Sequence, residues 1–177
     1  MFESDKYTIK EKSFSKGDQF KVFENGELVM FSKVDDSSVR DDMIFVDVNE
    51  DERLKVTSNP LLDIPVSYSI VDQQTGEVVG GLKREWGFLQ HKWKVVDADN
   101  RIVGEIKEDN LALSLTRRFL TTLLPFKYDF VSGDGEKIAD IDGKLTVRDI
   151  YTINIKGDVD PRLVVPAALI MDFIEKK

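Results

Sequence analysis

The residues best suited to chemistry are cationic. Arg117 and Arg118 stand side by side in "SLTRRFLTT", and Lys83, Arg84, Lys92, Lys94, Arg101, Lys107 and Lys127 are near them in sequence. A guanidinium offers a planar fork of N–H donors that grips a phosphate or a carboxylate, and a lysine adds a point charge. Trp86, Phe88 and Trp93 interleave with these cations, and rings beside positive charge suit a membrane–water boundary. The candidate phosphate contacts are therefore Arg117, Arg118, Lys92, Lys94 and Arg84, with Trp86 and Phe88 as candidate membrane contacts. The plainer reading is solvated cations, several paired with Glu85, Glu105, Glu108 and Asp109, around aromatics that pack inward.

Other chemistry is sparse. His91, the single histidine, has no nucleophile or orienting carboxylate linked to it by any motif, and reads as a polar position at a strand start. The acidic stretches "VDDSSVRDDM", "NEDER", "DADN" and "DVD" offer oxygen ligands, yet none has the twelve-residue loop spacing of an EF-hand. Asp and Asn in "DADN" are turn formers, and Asp158 and Asp160 flank a helix start, where they act as caps. The absence of cysteine excludes disulfides and thiolate chemistry. There is no Gly-rich phosphate loop and no nucleophile elbow. The expectation is a protein that is not an enzyme, with no cofactor and no metal.

Composition bounds the partners. The chain has 177 residues, 41% apolar and 33% charged, with a net charge of −8, which fits a single globular domain over 1–177. Residues 1–80 hold 9 Lys/Arg against 17 Asp/Glu, and residues 81–130 hold 9 against 7. So acidic a chain is a poor match for nucleic acid, which selects dense positive charge. The opening "MFESDKYTIKEKSF" is acidic and has no apolar run, unlike a secretory leader. Cytoplasmic residence is expected, with contact at the membrane periphery and no transmembrane segment.

The elements that would position these residues form a repeat. Alternating strands start at Phe20, Ile44, Tyr68, Trp93, Tyr128 and Tyr151, separated by 24, 24, 25, 35 and 23 residues. Each is followed by a polar turn, and the Asn25-Gly26, Gly76 and Gly133-Asp134-Gly135 stretches are hairpin chemistry. The long interval holds "EDNLALSLTRRFLTTLLP", where Leu111, Leu115, Phe119 and Leu123 fall on one stripe and Pro125 ends it. This predicts one extra helix near 109–124. The closing "DPRLVVPAALIMDFIEKK" is apolar on all sides of a helix, with Asp160 as cap and Pro161 in the first turn. It is too short to span a bilayer. The fold expected is mainly β: a closed antiparallel β-barrel of about 12 strands enclosing a hydrophobic C-terminal α-helix, because so wide a barrel cannot fill its own lumen.

On these residues the chain resembles the tubby C-terminal-like superfamily, which includes tubby proteins, phospholipid scramblases and LURP-one-related proteins. "YTIKEKSFSKGDQFKVFENGELV" looks like the LURP-one-related opening, and "WKVVDADNRIVGEIKEDNLALSLTRRFLTTLLPFKYDF" is similar to scramblase-related bacterial proteins. Nearly the whole chain is covered, from about Tyr7 to Ile174. The resemblance implies the helix-filled barrel and, from tubby domains, a basic surface for phosphoinositides. Scramblase features such as a cysteine cluster for palmitoylation are missing, so lipid translocation is not expected. The function expected is a non-catalytic tubby-like module that binds anionic phospholipid at the membrane periphery. The alternative is a protein-interaction scaffold without lipid activity.

Overall fold

The computed structural model describes residues 1–11, 20–35, 42–58, 67–85, 92–108, 126–144 and 150–175. Twelve strands follow one another along the chain: β1 (Lys6–Glu11), β2 (Phe20–Glu24), β3 (Glu27–Asp35), β4 (Asp42–Asp47), β5 (Glu52–Ser58), β6 (Ser67–Asp72), β7 (Val78–Glu85), β8 (Lys92–Asp97), β9 (Ile102–Glu108), β10 (Phe126–Ser132), β11 (Lys137–Lys144) and β12 (Ile150–Ile155). A single described helix, α1 (Pro161–Glu175), comes after them. Each strand pairs antiparallel with its sequence neighbours, and β1 closes the ring against β12. The expected closed barrel is present. The helix expected near 109–124 lies outside the described residues.

The six repeat starts fall at or just inside the starts of β2, β4, β6, β8, β10 and β12. Five repeats are hairpins, and the sixth joins the two ends of the barrel, β12 with β1. All the tight turns therefore gather at one end of the barrel, together with the link from β12 to α1. We refer to this as the turn end, and to the end where the even strands start as the far end.

One device builds most of the turns. Asp47 Oδ1 accepts from the Asn49 and Asp51 amides at 2.8 and 3.0 Å. Asp97 Oδ1 accepts from the Asp99 and Arg101 amides at 3.0 and 2.9 Å, and Asp72 Oδ1 from Gln74 and Thr75 at 2.9 and 3.3 Å. Ser132 takes the same place in the β10–β11 turn, its Oγ accepting from Glu136 N at 3.2 Å. A short polar side chain folds the next amides back and fixes the turn. Each turn then needs one residue at positive φ, filled by Glu50, Gly76, Asn100 and Gly135.

Alternation along the strands sends one apolar set inward. Tyr7, Ile9, Phe20, Val22, Phe45, Leu54, Val56, Ile70, Leu82, Trp93, Val95, Ile106, Phe130, Ile141, Tyr151 and Ile153 are all essentially sealed from solvent. They surround α1, whose residues 163–171 are buried without interruption. A helix buried on every face is what the apolar closing run requires. Its 15 residues span ~22 Å, close to the ~20–23 Å of a strand of six or seven residues.

Two details seat it. Asp160 caps the first turn, accepting from Arg162 N at 2.9 Å, as the sequence predicts. Gly80, at φ 152°, lets α1 approach β7: a Cβ there would collide with the Val96 carbonyl and the Leu163 side chain. Pro166 sits in the second turn, where the Arg162 carbonyl loses its intrahelical donor.

Two outcomes test this packing. Removal of residues 163–177 is expected to leave a species without a cooperative thermal transition, since the barrel interior loses its filler. Glu50→Gly is expected to stabilise by ~1 kcal/mol, because an L side chain at positive φ is strained, and a rise in Tm would show it.

Candidate functional site

The outer wall of β7, β8 and β9 carries the basic residues that the structure brings together. Lys83 on β7 stands directly opposite Lys94 on β8, and Lys94 opposite Glu105 on β9. Lys107 reaches back to Glu105 at 2.9 Å. The Glu105 carboxyl is held below its ordinary value, first by the Lys107 hydrogen bond, against an opposing effect of burial, and further by the charges of Lys107, Lys92 and Lys94. Lys107, Lys92 and Lys94 thus gather around Glu105, while Glu85 on β7 stands opposite Lys92 and Asp129 on β10 opposite Lys107. Like charges placed directly opposite across a strand pair disfavour folding by ~0.2–1 kcal/mol, and the opposite charge of Glu105 on the other side of Lys94 offsets this.

Arg84 does not join this wall. It alternates with Lys83 and shares the inner side with Leu82, its guanidinium lying over the Trp93 ring at 5.7 Å. Tyr68 flanks the same ring at 6.4 Å. Arg101 sits at the turn end beside Asp99 at 3.0 Å, and Lys127 pairs with Asp142 on β11 at 3.3 Å. Trp86, Phe88, His91, Arg117 and Arg118 lie outside the described residues.

A second constellation, at the turn end, is absent from the sequence-level candidates. Arg53 grips Asp47 through Nε and a terminal nitrogen at 3.0 and 2.6 Å. Arg162, at the start of α1, holds Asp160 through three contacts and reaches Asp72 on β6 at 2.9 Å. This joins the helix to the barrel wall. Burial alone would raise the Asp72 carboxyl, but the Gln74 and Thr75 amides and the Arg162 guanidinium outweigh it and hold it low. The Asp47 carboxyl is held low chiefly by Arg53. Between these pairs lies a cavity of about 600 Å³, lined by Phe2, Arg53, Asp72, Gln74, Asp158 and Arg162 among others. The N-terminal arm that borders it is tied to Glu24, which accepts from Glu3 N, Ser4 N and the Tyr7 hydroxyl at 2.8, 3.0 and 3.1 Å. Among the described residues, no three His, Cys, Asp or Glu side chains converge on a metal position.

The two regions differ in charge. The turn-end spans 1–6, 23–28, 47–53, 72–78, 97–102, 132–137 and 155–162 hold 16 Asp/Glu against 6 Lys/Arg. The remainder of the chain holds 17 against 19. All of the net negative charge is therefore concentrated at one end of the barrel.

A twelve-stranded closed barrel threaded by an apolar helix defines a tubby-like protein. The family model described as LURP-one-related matches residues 5–172, and the chain belongs to that family. In fold it is similar to a protein from Arabidopsis thaliana of known crystal structure, with a TM-score of 0.62 and 12% identity over 98% of this chain and 94% of that one. No curated protein is similar in sequence.

The Asp72–Arg162 contact predicts a pH effect. Because the folded-state carboxyl lies below its ordinary value of 3.8, its stabilisation is complete above that value and is lost as pH falls through the folded one. Asp72→Asn is expected to cost ~1–2 kcal/mol near neutrality. The difference in Tm between the two proteins should shrink as pH is lowered from about 6 to about 3, as a thermal-melt series would show.

Proposed function

We propose that the protein is a non-catalytic module that binds anionic phospholipid headgroups at a membrane surface. The supporting observation is the outer wall of β7–β9, where Lys83 stands opposite Lys94, with Lys92 and Lys107 beside them. Outward cations on adjacent strands can converge on the several oxygens of one external phosphate. The charge polarity of the barrel supports the same reading. An anionic surface repels the turn end and attracts the lysine wall, which orients the molecule before contact. The titratable groups that converge at the turn end, Asp47 with Arg53 and Asp72 and Asp160 with Arg162, are engaged in turn and helix docking, a structural use of charge.

The proposed contact extends to Arg117 and Arg118 as phosphate ligands and to Trp86 and Phe88 as apolar anchors. Arg84 enters it differently. Stacked over Trp93, it is assigned to the inner edge of the same region and not to the outer wall. The site of action is then the cytoplasmic face of a membrane, occupied reversibly.

Sedimentation with vesicles tests the reading. Binding is expected to phosphatidylserine and phosphoinositide vesicles but not to phosphatidylcholine, and to weaken as salt is raised. Lys83→Ser should weaken binding about fivefold, equivalent to ~1 kcal/mol for one lysine at an anionic surface, while leaving Tm unchanged or raised. Lys83→Glu with Lys94→Glu should abolish it. Absence of binding at low salt, or binding indifferent to these lysines and to Arg117 and Arg118, would overturn the proposal.

A further inference from the structure

Large apolar side chains exposed among the described residues are Met1, Val48, Val78 and Ile102, at 42, 56, 47 and 54% exposure. All four are at the turn end. Val48 caps the β4–β5 turn, Val78 opens β7 and Ile102 opens β9. These three hairpins are successive around the barrel; Val48 follows β4, so at ~4.8 Å per strand it is ~14 Å from Val78, and Val78 is ~10 Å from Ile102. Three branched side chains at those spacings form a row along the rim, a surface that a monomer does not need for its own core.

The setting of the row is mainly acidic. Glu50, Asp51 and Glu52 lie beside Val48, Glu77 precedes Val78, and near Ile102 Asp99 is ion-paired with Arg101. The cavity between the first two hairpins has Arg53 and Arg162 committed to Asp47, Asp72 and Asp160. Asp158, exposed on its lining, has no ion pair or hydrogen bond among the described residues. Phe2 supplies an apolar wall at the same opening. A cation with an aliphatic stem matches that combination, stem against ring and charge against carboxylate. An anionic lipid surface or a nucleic acid does not, since both are repelled here.

We propose that the turn end is a docking surface for a segment of another protein that alternates basic and apolar side chains. The apolar groups rest on Val48, Val78 and Ile102, and one lysine or arginine enters the opening beside Asp158 and Phe2. Steering comes from the acidic rim, and specificity from the spacing of the apolar tips. The proposal is independent of the lipid reading, which uses a different part of the molecule.

The test uses the full chain, isotope-labelled for amide NMR, and as probe a short synthetic peptide of lysine and leucine. A control peptide carries glutamate in place of lysine. The basic peptide is expected to shift amides in 48–52, 74–78 and 99–102, and the acidic one to shift none. The triple variant Val48→Ser, Val78→Ser, Ile102→Ser leaves the charge unaltered, and should weaken binding at least about tenfold, as loss of an interface anchor does. Val78→Ser alone, read by the same shifts, serves if the triple variant loses its fold. Asp158→Asn should weaken binding without affecting Tm. Equal binding by the serine variants would mean that charge alone attracts the peptide, and the proposal would fail. Shifts mapping to the lysine wall, or produced at the turn end by phosphatidylserine vesicles, would overturn it as well.

Discussion

The barrel and its helix each bury what the other cannot. A ring of twelve antiparallel strands is too wide for its inward side chains to meet across the lumen, and an isolated strand ring around a void would lose the dispersion contacts that close packing supplies. A helix with residues 163–171 apolar or small on every face has no stable place in water. Threading one through the other removes both problems. Everything else follows from that packing: the need for an Asp160 cap on the helix, the Arg162 contact with β6 that sets its depth, and the bare backbone at Gly80 that lets it lie against β7.

Because the interior is filled by structure, function is left to the outside and the two ends. The turns of the barrel need acceptors that fold amides back on themselves, and Asp47, Asp72 and Asp97 meet that need. Negative charge therefore accumulates at the turn end for reasons of local geometry. The lysines of β7–β9 occupy outward positions of strands whose inward positions are fixed by the core, so their identity is free to serve contact with a partner. The molecule gains an electrical polarity from the way its strands are joined.

Much of this was legible in the residues. The interval of 24–25 between strand starts, the turn residues and the apolar closing run together specify a closed barrel with a central helix. Strand β1 was harder to place, because its partner β12 is almost a whole chain away and only ring closure brings Tyr7 beside Ile153. The candidate site was legible only in part. Neighbours in a strand face opposite ways, so Lys83 and Arg84, adjacent in sequence, end on different sides of the wall. The Lys83–Lys94 juxtaposition depends on register, which the β7–β8 pairing sets and no local motif records. Arg162 and Asp72 are 90 residues apart, with nothing in either neighbourhood to announce the contact. The repeated Asp at 47, 72 and 97 was a usable signal, since equal spacing in equivalent turns marks a shared duty.

The order of elements along the chain has a consequence for biosynthesis. The ribosome delivers all twelve strands before the segment that fills them, and β1 must wait for β12 before the ring can shut. Nascent hairpins thus emerge with greasy inner faces and no lining, and the decisive collapse waits until residues 161–175 have left the ribosome. Its slow step should be a late, non-local closure and not the formation of any single hairpin.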